Sequence, residues 1–288
     1  MAVNIEPLRV RLPGDRSWVG YRFEPVRIGA GTPLSVTVLT HQPGPPADPL
    51  ETIVYLTAPG NSDRLARQEM PVSREPVAED HRGGEVWAEA FVLNPPEDLP
   101  VGAYYVSASA RKPGETRFAH LYQGEDTYPV DRATLGYVVV PWHGDLDAIA
   151  DVGARIGDAI TLRGYTIESD PAPGGTLTVR LYWEAAQPAA SLAETHFVFV
   201  HLLDADGALV AQDDGAPAGG RYPPQAWFPG DVVPDDHALA LHPELPPGTY
   251  TPRAGMYLWP SMDRLPARDA TGTPLPDDVI MLGTLTLE

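Results

Sequence analysis

The chain runs to 288 residues and carries 39 acidic against 20 basic side chains, a formal net charge of −19, with no cysteine. Disulfides, thiolate metal sites and cysteine nucleophiles are therefore excluded. So large a negative charge also repels phosphate backbones and anionic lipid, which argues against nucleic-acid and membrane-surface partners.

The length favours about two domains, each with its own core. The 33 prolines and 27 glycines punctuate apolar runs and do not gather into one tract, the pattern of short strands joined by turns. No apolar run reaches the roughly 18 residues that a membrane-crossing helix needs, so no membrane insertion by this chain is expected. Met1 to Val10 lacks the apolar core of a signal peptide. If the chain is complete as given it is expected in the cytoplasm; if it is a piece of a longer membrane protein, outside it.

Taken in order, the elements occur twice. Val19-Gly-Tyr-Arg-Phe23 answers Arg163-Gly-Tyr-Thr-Ile167, and Gly31 to Val38 answers Gly174 to Leu181. Glu51 to Leu56 answers Glu194 to Phe199. Asp98-Leu-Pro-Val-Gly-Ala-Tyr104 then answers Glu244-Leu-Pro-Pro-Gly-Thr-Tyr250, and Leu135 to Val140 answers Leu282 to Leu287. Matched segments in the same order, with offsets drifting by only a few residues, read as a tandem duplication with loop-length changes.

Within each copy, period-two alternation such as Leu177, Val179 and Leu181 against Thr178, Arg180 and Tyr182 marks half-buried strands. Phe197 to Leu203 is apolar on both faces, as a central strand would be, and Asp204-Ala-Asp-Gly207 supplies a hairpin turn. About seven strands per copy, with turns every 8–12 residues, predict an all-β chain of two tandem immunoglobulin- or fibronectin-III-like sandwiches. The expected domains are 1–143 and 158–288. The segment 144–157, interrupted by Gly153, reads as a linker or a short helical turn. Tyr250 sits where such sandwiches place a corner tyrosine bonded back to its turn.

What the copies share encodes the fold, so function is sought where they differ. The second copy inserts Asp213 to Gly230, a Pro/Gly-rich loop with Tyr222, Trp227 and Phe228 beside Arg221 and Gln225. Aromatic faces that stack on sugar rings, with polar groups for the hydroxyls, make these five the candidate glycan contacts. The competing reading is that Trp227 and Phe228 fold back to cap one end of the sandwich. The first copy has its own unrepeated segment, Arg111 to Arg132, with Phe118, His120, Tyr122 and Tyr128.

Asp204 to Gly207 resembles the start of a calcium loop, but the bidentate Glu of the twelfth position would fall on Gly215, so a turn is the better reading. The paired acids Asp213, Asp214, Asp235 and Asp236 are the candidate calcium ligands, and no other cofactor is expected. His196 and His201, like His237 and His242, are oddly spaced on a strand and point to opposite faces, so neither pair shares a metal. No nucleophile elbow, zinc-binding helix or phosphate-cradling glycine loop occurs, and no enzyme activity is expected.

The second copy also assembles a series: Leu162-Arg-Gly-Tyr165, Leu177 to Trp183, Phe199 to Asp204 with Gln212 to Asp214, Tyr222 to Trp227, Pro229-Gly-Asp231, Leu245 to Tyr250, Gly255-Met-Tyr257 and Arg264-Leu-Pro266. Over roughly 155–288 this resembles the soluble C-terminal β-domain appended to bacterial membrane proteins of the glycosyltransferase and dolichyl-phosphate-mannose-mannosyltransferase-like class. A looser likeness extends over 15–141, where His41 and Thr40 stand where Tyr182 and Trp183 would be. The resemblance implies an accessory, extracytoplasmic domain without the membrane-embedded catalytic part. The expected function is a non-catalytic binding or spacer module of a cell-envelope protein, contacting glycan or another envelope protein. The alternatives are a purely structural protein–protein interaction module and a calcium-stabilised adhesion domain.

Overall fold

The computed structural model describes residues 5–29, 31–44, 48–59, 64–79, 84–125, 128–147, 149–167, 171–186 and 195–288. Among them the structure is all β, in two compact units that divide at Val140 and Pro141. Both are built of antiparallel strands, as the short apolar runs between Pro/Gly turns predict.

The first unit carries β1 (Glu6–Arg11), β2 (Ser17–Glu24), β3 (Leu34–Gln42), β4 (Glu51–Thr57) and β5 (Arg64–Gln68). It continues with β6 (Ser73–Glu79), β7 (Glu85–Leu93), β8 (Gly102–Arg111), β9 (Tyr122–Gln123) and β10 (Ala133–Val140). One sheet has the order β6-β7-β3-β2-β1-β9 and the other β10-β8-β4-β5. A single apolar core draws on both sheets, with Trp18, Val36 and Phe91 from one and Leu56, Val106 and Val138 from the other. This is a sandwich closed by the alternate residues of each strand.

The second unit carries β11 (Ala150–Ile156), β12 (Ile160–Ile167), β13 (Thr176–Ala185), β14 (Thr195–Leu203) and β15 (Leu209–Gly215). Then follow β16 (Val232–Ala240), β17 (Gly248–Trp259), β18 (Ala267–Arg268), β19 (Ile280–Met281) and β20 (Leu285–Leu287). Its sheets run β16-β13-β12-β11-β18 and β15-β14-β17-β19, with β20 also on β17. Set beside the first unit, the strand order is the same apart from the extra edge strand β6 and the split of the last strand into β19 and β20.

Local geometry repeats with the topology. A register shift interrupts β1–β2 between Pro7 and Val10, and β11–β12 between Asp151 and Ala154. Another falls at Trp18/Gly20 and at Leu162/Gly164. The Tyr250 hydroxyl donates to the Pro246 carbonyl at 2.7 Å and the Tyr104 hydroxyl to Pro100 at 2.6 Å, so the expected corner tyrosine is present in both units. The Asp204 turn is also a hairpin: its carboxylate accepts from the Asp206 and Ala208 amides, and Gly207 takes φ +80°.

The expected linker is corrected. Residues 150–156 are strand β11, paired antiparallel with β12 and belonging to the second unit. Gly153, which looked like a break, has φ +64° and sits where the register shifts. A glycine accommodates the left-handed backbone that a bulge imposes at low cost, so the strand continues through it. Strand content also exceeds the expected seven per copy, because short edge pieces such as β9, β18 and β19 are too brief for period-two patterning to reveal.

Phe197 to Leu203 is apolar on both faces because both are covered. Val198, Val200 and Leu202 are completely buried. On the opposite face Phe199 lies under the Arg264 guanidinium, 5.1 Å from the ring centroid, and packs with Tyr257 and Val279. His196 and His201 fall on opposite faces of this strand, as their spacing requires.

Gly164 tests the repeated bulge. A Cβ there would collide with the Ala150 carbonyl oxygen, and the corresponding Gly20 would place one 2.7 Å from Ile5 Cγ2. Gly164→Ala is expected to lower stability by about 1–3 kcal/mol in urea unfolding followed by tryptophan fluorescence, since backbone must yield. An unchanged midpoint would show that the strands are not held this close.

Candidate functional site

The segment between β15 and β16, residues 216–231, is where the second unit departs from the first. It contains two short 3-10 turns, Pro217–Gly220 and Pro224–Ala226. Its aromatic residues fold inward. Tyr222 and Trp227 have no exposed surface, their rings meet edge to face at 6.4 Å, and the Trp227 indole N–H donates to the Tyr222 carbonyl at 2.8 Å. The Tyr222 hydroxyl donates to Asp231 Oδ2 at 2.6 Å, and that oxygen also accepts the Phe228 amide at 3.1 Å. Phe228 and Gln225 are half-buried, and of the five candidate contacts only Arg221 is exposed.

The five candidate glycan contacts therefore do not form a stacking surface. Tyr222 and Trp227 are hydrophobic anchors that cap the sandwich, and Asp231 satisfies the tyrosine hydroxyl that burial would otherwise strand. Arg221 borders a shallow depression with Ala218, Gly219 and Asp236, away from any aromatic face.

The four candidate calcium ligands also separate. Asp214 lies on the outer face of its sheet, 3.4 Å from His201 Nε2. Asp236 forms a two-pronged pair with Arg180, at 2.5 and 3.0 Å. Asp213 and Asp235 do converge, but on a histidine. His237 Nδ1 is 3.0 Å from Asp213 Oδ2, and Nε2 is 3.1 Å from Asp235 Oδ2. Among the described residues no group of three carboxylates or histidines is arranged to hold a metal.

Strand parity explains this cluster. On β16, Val233, Asp235, His237 and Leu239 face inward, so two polar residues stand at core positions and are 1% and 2% exposed. Buried polar groups must be paired. Asp235 Oδ2 also accepts the Trp183 indole N–H at 3.0 Å, and Oδ1 accepts the Ala218 amide at 2.8 Å. Thus β13, β16 and the inserted segment meet on one carboxylate. His237 extends the network to Asp213 on β15, the edge of the other sheet.

Both partners of the imidazole are acceptors, so only the doubly protonated ring satisfies both contacts. Burial alone would lower the His237 pKa, but the hydrogen bond and charge of Asp235, joined by those of Asp213, outweigh it and raise it above 6.5. His201 moves the other way: burial is the larger influence, and with Arg253 and Arg264 it outweighs Asp214. The spacing of His237 and His242 separates the two rings and by itself gives His237 no partner. The signal was readable in its shared parity with Leu239 and Leu241, which already placed His237 and Asp235 on the core side.

Two other surfaces were not singled out from the sequence. The first lies at the end of β17, where Trp259 is 51% exposed and its ring stacks on Phe197 at 5.5 Å and 29°. Phe197 in turn rests 5.7 Å from Tyr257, and Met262 is exposed beside the turn. The second is a cleft in the first unit. Of the first unit's unrepeated aromatics, Phe118 lies under Arg64, Tyr122 under Arg11, and Tyr128 is 83% exposed.

No family model matches the chain, and no curated protein matches it. Among solved structures it is similar to the adhesin InvE of Yersinia pseudotuberculosis, at 13% identity over 93% of this chain and 58% of that one, with a TM-score of 0.25. It is similar to a β-glucuronidase of Bacteroides uniformis at 11% identity over 82% of this chain and 26% of that one, TM-score 0.24. A conserved domain protein from Bacillus anthracis matches at 10% identity over 95% and 87%, TM-score 0.22. The chain thus spans less than two thirds of the adhesin and of the glucuronidase. Likenesses at this level carry no argument about activity. Among the described residues no helix is long and apolar enough to cross a membrane.

The cluster predicts a pH dependence with a definite sign. A pKa raised on folding gives stabilisation that is fully present below the unfolded value of 6.5 and lost as pH rises through the folded value. The stability gap between the parent chain and His237→Gln is therefore expected to be widest below pH 6.5 and to narrow above it, in urea titrations across pH. A gap that widens with pH would contradict the doubly protonated ring.

Proposed function

We propose that the chain is a non-catalytic accessory module of a cell-envelope protein, and that it contacts glycan through the stacked pair Trp259 and Phe197. The module reading rests on how the titratable groups are used. The buried acid–histidine cluster is closed on itself, with both ring nitrogens of His237 engaged and the ring 2% exposed, so it braces the sandwich and is not presented to a substrate. The envelope setting follows from the likeness to the β-domain appended to membrane glycosyltransferase-class proteins.

The observation that carries the glycan contact is the exposed indole of Trp259, held by a ring beneath it. An aromatic surface fixed in advance loses little conformational freedom on binding, and its apolar face suits the C–H face of a sugar ring. Thr195, paired with Trp259 across the strands, places a hydroxyl beside it for the sugar's polar edge.

Trp259→Ala is expected to abolish glycan retention on an array while leaving the unfolding midpoint within about 0.5 kcal/mol of the parent, as for an exposed site. Undiminished binding would remove the platform from the account. Trp227→Ala, in contrast, is expected to cost about 3–5 kcal/mol of stability because it empties a filled core position.

A further inference from the structure

In the first unit, Arg16, Gln42, Pro49, Leu50, Arg74, Glu85 and Trp87 line an open cleft of about 420 Å³, within the range of small-ligand sites. The residues come from the β1–β2 turn, the end of β3, the loop before β4, and the strands β6 and β7. Strand β6 has no counterpart among the described residues of the second unit, so the cleft is another place where the two units differ.

Two guanidinium groups converge there, although the chain holds nearly twice as many acids as bases. Arg16 is only 7% exposed. Its Nε donates to the Pro13 carbonyl at 3.2 Å and its Nη2 to the Asp48 carbonyl at 2.7 Å, which fixes the side chain through backbone acceptors. Among the described residues, no carboxylate oxygen lies within 4.0 Å of it. A nearly buried guanidinium without an ion-pair partner is costly unless an anion reaches it. Desolvation lowers the Arg16 pKa, the Asp48 carboxylate opposes it as the next largest influence, and the positive charge of Arg74 outweighs the weaker pull of Glu89.

Arg74 is more open, with its guanidinium 4.9 Å from the Trp87 ring centroid and its Nε 3.7 Å from Glu89 Oε1. Glu89 is already satisfied by Thr40 at 2.8 Å and Thr52 at 3.0 Å. The Trp87 indole N–H is occupied by Glu85 at 3.1 Å, so this carboxylate is tied to the ring. The remaining lining is Gln42, whose amide nitrogen donates to the Gly44 carbonyl at 2.9 Å, and an apolar surface of Pro49, Leu50 and the indole.

We propose that this cleft binds a small carboxylate-bearing ligand with an apolar ring face, the chemistry of an acidic sugar, with Arg16 and Arg74 holding the carboxylate, Gln42 a hydroxyl, and Trp87 and Leu50 the ring. A planar guanidinium fork matches a carboxylate in two bonds, and charge-assisted bonds of this kind are the strong ones. The site is in the other unit from the Trp259 platform and stands or falls separately from it.

The test is calorimetry on the full chain carrying Trp259→Ala, which removes the sugar platform of the other unit, with glucuronate as probe, and glucose and inorganic phosphate as controls. Glucuronate binding at millimolar concentration, with none for glucose, is expected. Loss of a charge-assisted contact is worth about tenfold or more in affinity; that loss is expected for Arg74→Gln and for Arg16→Lys, which keeps the charge but not the fork. Both variants are checked for an unchanged melting temperature. No heat with glucuronate, equal binding of glucose, preference for phosphate, or full affinity in both folded arginine variants would each overturn the proposal.

Discussion

The second unit is organised around one buried carboxylate. Asp235 is 1% exposed and accepts from an indole on β13, an amide of the inserted segment and an imidazole on its own strand. An acid placed at a core position with any of these donors missing would be strongly destabilising, because its desolvation would go uncompensated. The inserted segment is thus not an appendage. Its Ala218 amide completes the shell, and its Tyr222 and Trp227 fill the end of the core beside a second acid, Asp231.

The first unit holds an acid at the corresponding place. Glu89 pairs across the sheet with Val38 as Asp235 does with Leu181, and Val38 and Leu181 in turn oppose Tyr21 and Tyr165. Thr40 donates to Glu89 as Trp183 donates to Asp235. The positive partner differs: Arg74 on the extra strand β6 in one unit, His237 on the acid's own strand in the other. One layout, a buried acid near the sheet edge with a nearby cation, has been finished in two ways. The segment between the fifth strand and the strand that carries the acid becomes β6 in one case and a capping loop in the other. In the first unit the arginine is left partly open to a cleft; in the second the histidine is sealed between two acids.

Much of the fold was legible in the sequence because its determinants are local. The Leu-Pro-x-Gly-x-Tyr phrase predicted a turn with a corner tyrosine, and both tyrosines bond back to it. Alternation placed the main strands. Gly153 misled, since a glycine that permits a bulge and a glycine that ends a strand are the same letter. The loop aromatics were ambiguous for a different reason. Whether Trp227 faces water depends on acids at Asp231 and Asp235, whose own burial depends on pairing across β13 and β15. Trp259 carries no local signal in the sequence, because its exposure is set by where its strand ends relative to its neighbours. The cleft was invisible because Arg16, Gln42, Arg74 and Trp87 are far apart along the chain and meet only through sheet order.

The account depends most on His237 being held as an imidazolium between two acids. The direct measurement is the ring ¹⁵N chemical shifts of His237 in the folded chain at pH 6.5, the ordinary midpoint for histidine. The account predicts a ring that is mostly doubly protonated there, with both N–H protons protected from exchange. A predominantly neutral ring, with one nitrogen carrying a lone pair, would contradict it.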